Sequence, residues 1–249
     1  NRLKQMNDLD RFVYLPGLHG EHADADAVRV ALDFIADFEP HRRIIGGDVW
    51  DFAPIRKGAD ECEERASLQD DMECGLHLLN QFQATDHCLG NHDIRPWRLR
   101  DESTGATRDY AGILVDQITK AHERLGCKVY GYRIDQVCKL GPGLNAIHGF
   151  AHNMHTAKTT ADSYPGATLA GHTHHIAYYR APSFDVRECW MTGCMRHPIA
   201  PYNQTRLATF RHTVGFAWGY YSETAPVYTV NQAQRMANGA WILNAKEYR

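Results

Sequence analysis

Arg43-Ile44-Ile45-Gly46-Gly47-Asp48-Val49-Trp50-Asp51 is the stretch on which the fold turns. An apolar run stops at paired glycines, and carboxylates follow at once. This pattern reads as a buried strand that leaves its sheet and opens into a polar loop. The design recurs on either side. Phe12-Val13-Tyr14-Leu15 stops at Pro16-Gly17 and delivers Leu18-His19-Gly20, and His87-Cys88-Leu89 stops at Gly90 and delivers Asn91-His92-Asp93. Between these strands apolar residues fall at helical spacing. Ala27, Val30, Ala31, Phe34, Ile35 and Phe38 form one stripe, with Asp24 or Asp26 placed to cap it and Pro40 to end it. Leu68, Met72, Leu76, Leu79 and Phe82 form a second, and Ile113, Leu114, Ile118, Ala121 and Leu125 a third. Residues 51–61, with Pro54 and Gly58, read as a loop. The order β-α-β-α-β-α predicts an α/β sheet with crossover helices.

After residue 126 the texture changes. Short apolar or alternating runs occupy 128–132, 134–140, 144–148, 168–170, 176–180, 186–191, 214–221, 227–230 and 240–243, with a short helix expected near 155–163. This half is expected to be mainly antiparallel. No internal repeat, low-complexity tract or linker divides the chain, so residues 1–249 read as a single domain with two sheets.

The 249 residues suffice for one sizeable core. Apolar residues make up 43% and charged residues 23%, as in an ordinary globular protein. Lys and Arg number 27 against 30 Asp and Glu, a net charge of −3, which argues against a general nucleic-acid or membrane binder. No apolar run approaches the roughly 20 residues of a membrane helix. The polar opening, residues 1–10, has no hydrophobic signal region, and a cytoplasmic setting is expected. Seven cysteines, an odd number without a CxxC pair, are expected to be reduced and mostly buried. The unusual count is 15 histidines, with no terminal run of them.

Those histidines gather at strand ends. Besides His19 and His92, the later runs end in Ile147-His148-Gly149 and Gly171-His172-Thr173-His174. Ligands of open α/β sheets bind beyond the carboxyl ends of the strands, so the spacing collects Asp, Asn and His at one edge. A set of imidazole, carboxylate and amide without thiolate suits first-row divalent cations and argues against a structural zinc site. His172 and His174 alternate on an extended strand. If the chain curls there, both rings can face one cluster, each toward a different ion.

The ordered set 18–19, 47–51, 90–93, 147–149 and 171–174 resembles the calcineurin-like metallophosphoesterase superfamily. The resemblance implies a four-layer α/β/β/α sandwich with two mixed β-sheets and a dinuclear centre. Two divalent ions are implied, manganese first, with iron, zinc, nickel or cobalt as other candidates. By that pattern Asp48 bridges the ions, His19 and His174 complete the first site, and Asn91, His148 and His172 complete the second. His92 is the implied catalytic histidine, oriented by Asp51. The implied activity is hydrolysis of a phosphomonoester or phosphodiester by attack of metal-bound hydroxide. The partner is then a phosphate ester, a nucleotide or short oligonucleotide among them, and no membrane.

One position departs from the pattern. The family's first motif is Asp-x-His, and here it is Gly17-Leu18-His19. With Asp48 as the remaining carboxylate, the first ion is expected to bind weakly and phosphate anions more strongly. Gly17 fits an engineered change, drift toward a catalytically silent relative that binds a phosphate-bearing ligand or protein, or replacement of the carboxylate by Glu21, His22 or Asp24. Among the remaining residues, Arg95, Arg98, Arg100 and Arg108 cluster after the Asn-His motif. Arg95 is the candidate for gripping substrate phosphate. Trp50, Trp97 and Tyr110 are candidates for a nucleobase wall against ordinary packing. His175 is expected to face solvent, and His152 and His155 to be rim or structural residues. Residues 190–216, with Arg196, Tyr202, Asn203, Arg206 and Arg211, read as a long loop that covers the metal edge.

Overall fold

The computed structural model describes residues 9–199 and 207–249. Tyr202, Asn203 and Arg206 lie outside the described residues. The first half alternates as expected: β1 (Asp10–Leu15), α1 (Ala25–Phe38), β2 (Arg42–Ile45), α3 (Leu68–Phe82), β3 (Asp86–Cys88) and α5 (Gly105–Leu125), then β4 (Lys128–Tyr130). Asp24 caps α1, its carboxylate accepting from the Ala27 N–H at 3.1 Å. Two short helices break segments without an apolar stripe to announce them: α2 (Glu61–Glu64), closed by a capping box between Asp60 and Glu63, and α4 (Arg95–Glu102), started by Pro96 in its first turn. The stretch 51–61 is therefore less irregular than expected, since a single 3-10 turn also covers Ala53–Ile55.

The second half holds β5 (Cys138–Gly141), β6 (Leu144–Ala146), α6 (Thr156–Ser163), β7 (Gly166–Ala170), β8 (Ile176–Arg180), β9 (Arg187–Thr192), β10 (Gly215–Tyr221) and β11 (Tyr228–Gln234), and ends in a hairpin of β12 (Trp241–Leu243) and β13 (Lys246–Tyr248). Most strand pairings of this half are antiparallel, as expected, but its strands are divided between the two sheets. The six-stranded sheet runs β11-β10-β1-β2-β3-β4, with β1 to β4 parallel, and β10 and β11 return to pair antiparallel beside β1. The five-stranded sheet runs β5-β6-β7-β9-β8 and is mixed, because α6 carries the chain across from β6 to β7 in parallel.

Strand alternation assigns the layers. On β1, Val13 and Leu15 face α1, α3 and α5, packing with Val30, Phe34, Met72, Phe82, Leu114 and Ile118. Phe12 and Tyr14 face the other way, into a core shared with Leu140, Leu144, Ala146, Ala167 and Leu169 of the second sheet. The outer face of that sheet, with Ala170, Cys189 and Met191, packs on Ala157 and Ala161 of α6. Helix, sheet, sheet and helix follow in turn, so the expected four-layer α/β/β/α sandwich is the one observed.

Tyr14 ties the two sheets together at the end that carries the polar loops. Its buried hydroxyl donates to the carbonyl of Ile147 at 2.7 Å. The approach depends on Gly46, where a Cβ would lie 2.4 Å from the Tyr14 hydroxyl oxygen.

Candidate metal centre

The five polar loops meet beyond the carboxyl ends of β1, β2, β3, β6 and β7. Four of the residues named from the sequence, His19, Asp48, His172 and His174, have left-handed backbones, with φ of 56°, 53°, 66° and 58°. Side chains other than glycine adopt that conformation at a cost, and the surrounding packing holds it. Two consequences are specific. The chain does curl after β7, so His172 and His174 face one centre rather than opposite sides of a strand. Asp48 turns inward between the two sets of imidazoles.

Asp48 Oδ2 lies 3.3 Å from His148 Nε2 and 3.8 Å from His19 Nε2. His19 Nε2 is 3.1 Å from His174 Nε2. On the other side His148 Nε2 is 3.2 Å from Asn91 Oδ1 and 3.0 Å from His172 Nδ1. The donor atoms of His19, Asp48 and His174 all lie within 4.8 Å of one another, as do those of Asp48, His148 and His172. The structure thus brings the six residues expected as ligands to one place, Asn91 through its contact with His148, and His19, Asp51 and His92 form a third such group. Nitrogen and oxygen donors at these separations suit divalent first-row ions. The outer nitrogens are held as well: His148 Nδ1 is 2.8 Å from the Gly46 carbonyl and His172 Nε2 is 2.9 Å from His152 Nδ1.

Asp51 does more than orient His92. Its Oδ1 is 2.7 Å from His92 Nδ1 and 3.0 Å from His19 Nδ1, so one buried carboxylate fixes two imidazoles. Arg95, on the first turn of α4, donates to the Asp51 carbonyl and reaches within 3.5 Å of His92 Nε2. Of the four clustered arginines, Arg95 lines the cleft, while Arg98 and Arg108 are exposed to solvent.

Burial and charge tune the imidazoles in opposite directions. Burial, helped by the Arg196 guanidinium, pushes His19 down to about 4. Burial and the neighbouring His148 push His172 down to about 3, and burial with His19 lowers His174. Neutral imidazole is the form that binds a metal. Burial is the largest single influence on His92 and His148 and opposes their charge, but Asp48 and Asp51 together outweigh it at His92, and Asp48 with the Gly46 carbonyl and Asp93 at His148, so both pKa values rise. Asp48 answers in kind: burial would raise it, yet the charges of His148 and His92 hold it well below the usual carboxylate range.

The sequence reading missed the groups that hold the loops. Asp93 is fully buried and accepts from the backbone N–H groups of Asp48 (2.7 Å), Gly90 (2.8 Å), Val49 (2.8 Å) and Trp50 (3.2 Å). His87 Nε2 also meets it at 3.2 Å, and His122 Nε2 lies 2.9 Å from His87 Nδ1. Asp71 accepts from the Phe52 N–H at 2.7 Å and the Asp51 N–H at 3.1 Å, and burial pushes it up to about 7 against those bonds. Spacing alone does not reveal such residues, because their partners are main-chain groups.

A cleft of about 700 Å³ opens over the centre. His19, His172 and His174 form its floor, and Arg56, Glu63, Arg95, Asn153, Arg211 and His212 stand around it. Arg196, 1% exposed, lies in its wall beside the first group of ligands. Several expectations change here. Trp50 is no nucleobase wall: it is fully buried, with its ring stacked on Phe52 at 5.6 Å. Trp97 packs against the core and Tyr110 is exposed on α5. His175 does not face solvent alone but is half-buried and lines the cleft. His152 is a rim residue, as expected, and His155 is exposed just before α6. Of the suggested substitutes at position 17, Glu21 is exposed, and Asp24 is taken by Arg235 at 2.6 Å and by its cap. His22 Nε2 lies 3.7 Å from Asp51 Oδ2.

No protein-family model matches the chain, and no curated protein matches it in sequence. Solved structures do match. Similar chains include a metallophosphoesterase from Sphaerobacter thermophilus (14% identity, 93% of this chain and 91% of that one, TM-score 0.47). Wild-type Vps29 of Entamoeba histolytica complexed with zinc is similar at 10% identity, over 96% of both chains, with a TM-score of 0.46. Yfce, a phosphoesterase from E. coli, is similar at 12% identity, over 94% of this chain and 97% of that one, with a TM-score of 0.42. At these identities and scores the likeness is one of overall chain path.

Proposed function

We propose that the chain is a metal-dependent phosphoesterase that hydrolyses a phosphomonoester or phosphodiester. The observation that carries this reading is the convergence of Asp48, His19, Asn91, His148, His172 and His174 at one place, where His19, Asn91, His172 and His174 line an arginine-rimmed cleft. His19, Asp48 and His174 would hold one ion, and Asp48, Asn91, His148 and His172 another. Manganese is the first choice, with iron, zinc, nickel or cobalt also suited to the donors. Divalent ions bound there supply a polarised water and a clamp on phosphoryl oxygens. Without a carboxylate at position 17, the first site carries less negative charge and holds its ion more weakly.

The remaining roles follow from the side chains. Asp51 accepts at His92 Nδ1, which leaves Nε2 toward the cleft. Asp48 and Asp51 raise the His92 pKa against burial, which suits its ring to donate a proton to a leaving-group oxygen. Arg95, fixed by the Asp51 carbonyl, is placed to grip a phosphate oxygen. The substrate class is a phosphate ester, with a nucleotide or short oligonucleotide as one candidate, in a cytoplasmic setting. Among the described residues, no helix is long and apolar enough to cross a membrane.

Turnover of p-nitrophenyl phosphate and of bis-p-nitrophenyl phosphate, with added manganese, tests the reading. Activity on either is expected, with His92→Asn lowering it by about 10²- to 10⁴-fold. Manganese bound but neither ester hydrolysed would instead make the chain a silent binder of phosphate.

A further inference from the structure

Position 17 gives a carboxylate little room. Its backbone is left-handed, with φ of 51°, and a Cβ there would lie 3.3 Å from Cys194 Cβ and 3.3 Å from His174 Nε2. A carboxylate stands on the far side of His19 instead. Asp51 is 4% exposed, and its Oδ1 lies 3.0 Å from His19 Nδ1. The main chain of Asp51 is tied at both ends: its N–H donates to Asp71 at 3.1 Å, and its carbonyl accepts from Arg95. The two nitrogens of His19 face different groups. Nε2 is 3.1 Å from His174 Nε2 and 3.8 Å from Asp48 Oδ2, whereas Nδ1 meets Asp51. Asp51 therefore lies behind the ring rather than beside Asp48 and His174. In the second group the outer nitrogens meet other partners: His148 Nδ1 the Gly46 carbonyl at 2.8 Å, and His172 Nε2 the His152 imidazole at 2.9 Å.

An imidazole that offers Nε2 to a metal ion carries its proton on Nδ1, and on His19 that proton has an acceptor in Asp51 Oδ1. A carboxylate in this place fixes the tautomer and tilt of the ring and makes it a more basic donor. Its charge also counts for more in a buried, low-dielectric setting than it would in water. The same oxygen lies 2.7 Å from His92 Nδ1. We propose that Asp51 is the positioning residue of the first metal ion: acting through His19, its buried carboxylate supplies negative charge that Gly17 cannot, and the ion and His92 share one anchor.

The inference rests on the phosphoesterase reading, and the experiment separates the two. Manganese is titrated by calorimetry into metal-stripped protein, and EPR spectra are recorded at one and two equivalents. The wild type is expected to bind two ions, with a spin-coupled signal once the second enters. In Asp51→Asn an amide oxygen can stay at the Oδ1 position and keep both hydrogen bonds, so the variant removes charge and little else. It is expected to weaken one of the two ions by about 10- to 100-fold, the range for groups behind metal ligands, and to leave the other unchanged. His92→Asn, which keeps Asp51 against His19, is expected to leave both affinities as they are. Should Asp51→Asn not fold, NMR of the zinc-loaded wild type decides: a slowly exchanging proton on His19 Nδ1 supports the inference, and an unprotonated Nδ1 overturns it. Two unchanged affinities in folded Asp51→Asn overturn it as well, as does equal weakening by His92→Asn or a single ion in the wild type. All of these leave the phosphoesterase reading standing, whereas a wild type that binds neither manganese nor zinc overturns both.

Discussion

Replacing Asp93 by Asn changes one buried oxygen into an NH2 group and probes how the centre is held. Oδ2 accepts from the Asp48 and Gly90 N–H groups and meets His87 Nε2, while Oδ1 accepts from Val49 and Trp50. Whichever way the new amide turns, its NH2 faces one of these pairs of N–H donors. Two buried donors lose their acceptor, and each costs about 1–3 kcal/mol. The expected loss is about 2–6 kcal/mol, a large share of a typical domain's stability of about 5–15 kcal/mol. The damage is local too, because the Asp48 N–H anchors a residue whose φ of 53° needs that support. Manganese affinity is expected to fall tenfold or more, in the range seen when groups behind metal ligands are removed. Urea unfolding followed by tryptophan fluorescence gives the first quantity, and calorimetric manganese titration the second. A loss under about 1 kcal/mol with intact metal affinity would refute the reasoning, since it would mean that the four N–H groups find other acceptors.

Other outcomes follow from the same geometry. Gly47→Ala places a Cβ 2.4 Å from His148 Nδ1 and 2.7 Å from the Cys88 carbonyl on a backbone with φ of 87°, and is expected to cost about 2–5 kcal/mol in denaturant melts. Burial lowers His122 from 6.5 to about 3, with His87 adding to the effect, so the unfolded chain binds that proton first. Stability from this group is complete above pH 6.5 and falls by about 1.4 kcal/mol per unit as the pH drops from there toward 3. Melts of His122→Gln across that window are expected to show a shallower decline, and an unchanged slope would contradict it. Manganese at about one hundred times its dissociation constant is expected to raise stability by about 2.7 kcal/mol, near 5–10 °C in Tm, and EDTA to reverse it. His148→Ala, which removes a donor from the second group, is expected to abolish that rise in a thermal melt.

The candidate ligand set was legible because each member follows the end of a strand. Apolar runs of three or four residues mark buried strands, and glycine marks where each stops, so Asp48, Asn91, His148 and His172 announce themselves one at a time. What spacing does not carry is long-range pairing. The runs at 128–130, 215–221 and 228–234 are ordinary strands in sequence, and nothing local says that they complete the first sheet rather than the second. Trp50 illustrates the same limit. It sits between Asp48 and Asp51 on a polar loop, yet the loop folds under and buries it against Phe52, with its Nε1 donating to the Met72 carbonyl at 3.2 Å. Arg196 lay within a stretch that read only as a long loop. Its placement depends on main-chain bonds from Met195 to Pro16 and Gly17, which no side-chain pattern encodes.

The Tyr14 bridge has a consequence for how the molecule assembles. Asp48 and Asn91 belong to one sheet's edge, His148 and His172 to the other's, and the hydroxyl that joins Tyr14 to Ile147 fixes their separation. Neither half of the polypeptide owns the complete set of candidate donors, so on the proposed function affinity for a cation reports finished docking between remote parts of the chain. During refolding, uptake of manganese is expected to trail the recovery of helical dichroism, and a Tyr14→Phe variant is expected to lengthen that delay while leaving the dichroism phase alone.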